Sequence, residues 1–146
     1  MKAIIIDDDR EILDIVQAYL ENAGAESVRA FADPLNVQIE QDARDADLII
    51  SDVNMPHIKG PEIFSKFTQS LKAGNSNAKF FFLTGVPLQF MSQQDVDRMQ
   101  LADEVLIKPL HLDDFMNILK KHYLLDRQIK IALEGQFEDE PLEQNA

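Results

Sequence analysis

Short apolar runs alternate along the chain with longer stretches of helical period. Ala3 to Ile6, Leu48 to Ser51, Lys79 to Leu83 and Glu104 to Ile107 are too short for helices, and a weaker run covers Ser27 to Phe31. Strands covered on both faces read as continuous apolar runs rather than as alternation, and Ile4 to Ile6, Leu48 to Ile50 and Phe80 to Leu83 read that way. Between the runs, Ile12, Ile15, Val16, Tyr19 and Leu20 recur at helical spacing before Gly24. Ile63, Phe64, Phe67 and Leu71 do so after Gly60, and Leu112, Phe115, Met116 and Leu119 after Pro109. Asp33 followed by Pro34 suits the cap and first position of a helix, which is expected to run to about Arg44. Strands alternating with helices predict an α/β domain built on a parallel sheet with helices on both faces.

A chain of 146 residues, 45% of them hydrophobic, supplies one domain with a core that needs no metal or disulfide staple. The absence of cysteine excludes disulfide scaffolds, thiolate zinc sites and cysteine nucleophiles. The apolar run after Met1 and Lys2 is too short for a signal peptide or a membrane span. With 14 basic against 26 acidic side chains the net charge is −12, which argues against nucleic acid or an anionic membrane as partner and favours cations or basic proteins. Ile129 and Leu133 are expected to extend the last helix to about Glu134 and Gly135 to break it, with Glu138, Asp139, Glu140 and Glu143 expected to form an acidic, mobile end. The expected division is a domain over residues 1–124 and a helix extension with an acidic tail over 125–146.

Ligands of open parallel sheets sit beyond the carboxyl ends of the strands. At those ends stand Asp7, Asp8 and Asp9, then Asp52, then Thr84, then Lys108. Singly, each has an ordinary structural explanation: Asp9, for example, is the natural N-cap of the first helix. Together they bring carboxylates, a hydroxyl and an ammonium to one place. Clustered carboxylates repel one another and call for a cation or raised pKa values. Oxygen donors without His or Cys suit Mg²⁺, and Mg²⁺ beside a lysine and a hydroxyl makes a phosphoryl site. His57, His111 and His122 are spaced too widely for a metal site of their own, although His57 lies near the acidic residues in sequence.

Four motifs occur in order: Ile4-Ile5-Ile6-Asp7-Asp8-Asp9, then Ser51-Asp52-Val53-Asn54-Met55-Pro56 with Gly60 downstream, then Leu83-Thr84-Gly85, then Ile107-Lys108-Pro109. In this combination residues 2 to about 124 resemble a two-component receiver domain, the phosphoacceptor module of response regulators, of the single-domain chemotaxis-regulator kind. The resemblance implies a flavodoxin-like, doubly wound five-stranded parallel sheet of order 2-1-3-4-5 with five helices, two on one face and three on the other.

It also implies roles. Asp52 is the phosphoacceptor, supplied by a sensor histidine kinase or a histidine phosphotransfer protein. Asp8, Asp52 and the backbone carbonyl of Asn54 hold Mg²⁺, with Asp7 acting through water. Lys108 pairs with Asp52 and then with a phosphoryl oxygen, Thr84 donates its hydroxyl to the phosphoryl group, and Gly85 leaves room for it. The Lys108-Pro109 bond is expected to be cis. The implied protein is cytoplasmic, monomeric or weakly dimeric, and signals to a downstream protein, with no output domain after residue 124. It catalyses only its own phosphorylation and dephosphorylation. The loop after the fourth strand and the following helix are the expected output surface. Two departures stand out: Val105 occupies the place of the family's aromatic switch residue, and His111 that of a capping Asp or Ser.

Two other readings use some of the same residues. A haloacid-dehalogenase-type phosphatase would take Asp7 as nucleophile and Asp9 as its partner, but leaves Asp52 to Pro56 without a purpose. A phosphorylation-independent interaction module on the same fold would have little use for a complete set of pocket residues.

Overall fold

The structure is a computed structural model and describes residues 1–73 and 77–125. Among the described residues, five strands and five α-helices alternate: β1 (Lys2–Ile6), α1 (Arg10–Asn22), β2 (Ser27–Phe31), α2 (Ile39–Asp45), β3 (Leu48–Asp52), α3 (Gly60–Ala73), β4 (Lys79–Thr84), α4 (Gln93–Met99), β5 (Glu104–Ile107) and α5 (Leu112–Lys121). The strands form one sheet of order β2-β1-β3-β4-β5, and each neighbouring pair is parallel. This is the expected doubly wound topology. None of the described helices is long and apolar enough to cross a membrane.

Successive strand residues point to opposite faces, so each strand feeds two cores. Ala3 and Ile5 of β1, Ile50 of β3 and Phe81 and Leu83 of β4 meet Leu13, Val16 and Leu20 of α1 and Phe115 and Leu119 of α5. Ile4 and Ile6, Ile49, Phe80 and Phe82 meet Ile63 and Phe67 of α3 and Met99 of α4, with Ile39 of α2 at the margin. Two helices therefore cover one face and three the other. On the three-helix side, Phe64 packs edge-on against Phe80 and Phe82, with ring centroids 5.0 and 5.6 Å away.

The second helix departs from its expected boundaries. Asp33 does cap at Pro34, accepting from the Leu35 N–H at 2.9 Å, but the result is a single 3-10 turn over Pro34–Asn36. Val37 is extended and α2 begins only at Ile39. The break is fixed from below: the buried carboxylate of Asp42 accepts from the Gln38 N–H at 2.8 Å and pairs with Arg29 of β2. Asp9 caps α1 by accepting from the Glu11 N–H. The first helix ends as its Gly24 suggests, that residue taking a left-handed φ of 85°. His111 caps α5 without a side-chain bond, which leaves Asp113 and Asp114 to face the positive end of the helix dipole. The expected extension through Ile129 and Leu133 and the acidic tail lie outside the described residues.

Candidate functional site

Strand register assembles the site. Ile6 pairs with Ser51, so the next residues, Asp7 and Asp52, emerge side by side where β1 and β3 end. Thr84 pairs with Ile107, which brings Lys108 in directly beyond β4, and the Lys108 N–H donates to the Thr84 carbonyl at 2.8 Å. Gly60 closes the other side. Its N–H donates to the Val53 carbonyl at 2.8 Å, and a Cβ there would stand 2.4 Å from the Asp52 carbonyl oxygen and 2.9 Å from Val53 Cα. Only glycine lets α3 start this close to the end of β3.

One carboxylate oxygen from each of Asp7, Asp8 and Asp52 lies within 4.8 Å of the others. Asp7 and Asp52 are buried, 1% and 8% exposed, while Asp8 is exposed at the mouth. Asp7 Oδ1 accepts from the Asp9 N–H at 2.9 Å and Asp52 Oδ1 from the Val53 N–H at 2.8 Å. The ammonium of Lys108 lies 3.0 Å from Asp7 Oδ2 and 3.6 Å from Asp52 Oδ1. The shorter contact is an ion pair by distance without the direction of a hydrogen bond, so Asp7 Oδ2 stays buried with no hydrogen-bond partner.

One cation thus serves two buried anions, and the electrostatics show the shortfall. Burial first, and then repulsion from Asp7, push Asp52 up from an ordinary 3.8 to about 6, against the pull of Lys108 and the Val53 N–H. Asp7 is also raised, chiefly by burial, with the Asp9 N–H and Lys108 opposing. For Lys108, burial acts to lower the pKa, but its contacts with Asp7 and Asp52 outweigh it and the net shift is upward. A divalent cation fits here: the donors are hard oxygens, a buried one of them has an ion pair but no hydrogen bond, and the residual charge is negative.

The remaining expected residues are placed as follows. Asn54 is exposed in the loop leaving β3. Thr84 is buried at the end of β4, but its hydroxyl turns to its own loop, accepting from the Val86 N–H at 3.1 Å with the Val86 carbonyl 3.4 Å away. A Cβ on Gly85 would meet Lys108 Cδ at an ordinary 3.9 Å, so no clash in this arrangement requires that glycine. Lys108-Pro109 is cis. Val105 packs at the margin of the three-helix core. Sequence reasoning missed the backbone of His57, which takes a left-handed φ of 71°; the histidine after Pro56 is only a weak signal for it, as one of the residue types enriched in that region.

Comparison with known proteins decides the family. Residues 3–120 match the response regulator receiver domain. The chain belongs to that family. No match is found among curated proteins. Solved receiver domains share the fold. The chemotaxis response regulator CheY4 of Vibrio cholerae is 26% identical with a TM-score of 0.63, over 82% of this chain and 96% of that one. A receiver domain protein from Clostridium thermocellum is 24% identical with a TM-score of 0.64, over 82% and 91%. The response regulator TrrA of Thermotoga maritima, solved with Mg²⁺ and BeF, is 22% identical with a TM-score of 0.67, over 82% and 96%. Receiver domains are signalling modules of two-component systems, and this receiver carries its acidic cluster where β1 and β3 end.

Proposed function

We propose that this receiver domain accepts a phosphoryl group on Asp52 in a Mg²⁺-dependent reaction. The observation that carries the reading is the trio of carboxylates served by a single lysine, with the buried Asp7 Oδ2 held by the Lys108 ion pair alone. Asp8, Asp52 and the Asn54 carbonyl would hold the metal, with Asp7 acting through water. Bound there, Mg²⁺ supplies positive charge against the transferring group. One oxygen of Asp52 already accepts from the Val53 N–H, and the other attacks phosphorus. The P–O bond forms as the P–N bond of a phosphohistidine breaks, and the imidazole leaves with the electron pair.

Lys108 starts between Asp7 and Asp52 and follows the negative charge onto a phosphoryl oxygen. Thr84 gives up its turn with Val86 to donate its hydroxyl to the phosphoryl group, which couples occupancy of the site to the loop leading to α4. The phosphodonor is a sensor histidine kinase or a histidine phosphotransfer protein, and the output is contact with a downstream protein. The setting is the cytoplasm, neither nucleic acid nor membrane takes part, and the chain turns over no substrate beyond its own phosphorylation and dephosphorylation. The structural relative bound to Mg²⁺ and BeF supports the metal assignment.

Acetyl phosphate with Mg²⁺ tests the reading, with intact mass as the readout. A phosphoryl adduct that disappears in Asp52→Asn and persists in Asp9→Asn is the expected result. An adduct that survives Asp52→Asn and is lost in Asp7→Asn would instead favour the phosphatase-type nucleophile.

A further inference from the structure

Three loops meet around a cavity of about 240 Å³ lined by Asp8, Ala32, Asp33, Pro34, Pro56 and His57. Asp8 belongs both to this cavity and to the carboxylate cluster, so the two adjoin. His57 enters its wall on an unusual backbone. The Ile58 N–H donates to the Pro56 carbonyl at 2.8 Å, and the residue between them has a φ of 71°. That is a three-residue γ-turn of the left-handed kind, rare and strained for any residue with a side chain. The turn places His57, a residue with two ring nitrogens, among the residues that line the cavity with Asp8.

The imidazole is not in the coordination cluster itself: among the described residues, the side chains whose oxygens or nitrogens lie within 4.8 Å of one another are Asp7, Asp8 and Asp52. A small cation held by few carboxylates keeps several waters, and those waters need hydrogen-bond partners of their own. A cavity of about 240 Å³ has room for them at roughly 30 Å³ each. Asp7 Oδ2, buried with the Lys108 ion pair at 3.0 Å and no hydrogen bond, is a separate sign that the cluster is short of positive charge.

The geometry points to His57 as an outer-shell partner of the cation site, hydrogen-bonded to metal-bound water on the Asp8 side of the cavity. This assignment rests on the Mg²⁺ reading above and gives the strained turn a function. Outer-shell groups typically change metal affinity by about 10- to 100-fold.

Mg²⁺ titration of the full chain by calorimetry tests it, using wild type, His57→Gly and His57→Gln. Glycine takes the left-handed turn without strain but has no side chain, so the fold is kept while the Mg²⁺ dissociation constant rises about tenfold. Glutamine restores a hydrogen-bonding group and holds the constant within about threefold of wild type. In ¹⁵N spectra, the His57 ring signals shift on Mg²⁺ addition in wild type and stay in place in Asp8→Asn. Wild-type affinity in His57→Gly would overturn the assignment. Equal weakening in both variants would overturn it as well, because a hydrogen-bonding side chain at this position would then make no difference to affinity. Absence of Mg²⁺ binding by the wild-type chain would instead remove the reading on which the assignment rests.

Discussion

Replacing Asp52 by asparagine should make the metal-free protein more stable, although it removes the proposed reactive group. The folded pKa of Asp52 is raised from 3.8 to about 6. A raised acid contributes its full stability below the unfolded value, and that contribution is lost as pH rises through the folded value. Above the window from about 4 to 6 the ionised side chain therefore costs the fold about 3 kcal/mol relative to the unfolded chain. Asparagine has the same shape and keeps an oxygen for the Val53 N–H, while Lys108 keeps its closer partner, Asp7, at 3.0 Å. Urea and thermal unfolding in EDTA at about pH 8 should show Asp52→Asn more stable by about 3 kcal/mol, a rise in Tm of roughly 10 °C. The two proteins should converge near pH 4, well below the folded value of about 6, where wild-type Asp52 already carries its proton. Mg²⁺ should then stabilise wild type and do much less for the variant, because the cation relieves the repulsion that the substitution has already removed. An Asp52→Asn protein no more stable than wild type at pH 8, or one with the same advantage at pH 4, would refute the electrostatic account of the site.

Other substitutions probe the frame around the carboxylates. Gly60→Ala forces a Cβ to within 2.4 Å of the Asp52 carbonyl. It should cost about 2 kcal/mol in urea unfolding and slow labelling by acetyl phosphate, because α3 must retreat from the strand end. Asp42→Ala leaves the Gln38 N–H and Arg29 without their shared acceptor. A loss of about 2 kcal/mol is expected in urea unfolding, with faster amide exchange confined at first to α2. Thr84→Val removes the hydroxyl that holds Val86, so exchange of the Val86 amide should speed up by about fivefold, the equivalent of roughly 1 kcal/mol. An unchanged rate would mean that the turn is held by its backbone alone.

The parts of the fold legible in the sequence are those where burial on both faces leaves one reading. Ile4 to Ile6 and Phe80 to Leu83 could only be central strands, and their order follows from the resemblance. Legibility falls toward the margins. β2 is an edge strand with a largely exposed set of side chains, and α4 is a seven-residue helix whose buried anchor is Met99, too little for a periodic signal. The split after Asn36 was hidden because its cause is a carboxylate, Asp42, whose partner sits on a strand 13 residues earlier. At the site, the rule of strand ends found the acidic residues and the lysine. The closer approach of Lys108 to Asp7 than to Asp52 depends on register and rotamer. The direction of the Thr84 hydroxyl and the turn at His57 depend on loop paths. None of these has a signature in residue type or spacing.

The ring of Phe82 has a consequence beyond packing. Its Cε1 lies 3.1 Å from where a Cβ on Gly60 would stand, and the ring is fully buried against Phe64 and Phe80. The aromatic block on the three-helix face is thus an apolar wall behind the close approach of α3 to the end of β3, the strand end that carries Asp52. Water admitted through a defect in that wall would raise the local dielectric, weaken the repulsion between Asp7 and Asp52, and lower the proton affinity of Asp52. A substitution in the apolar core, far from any ligand, would then be read out as a change in how strongly the pocket attracts a cation.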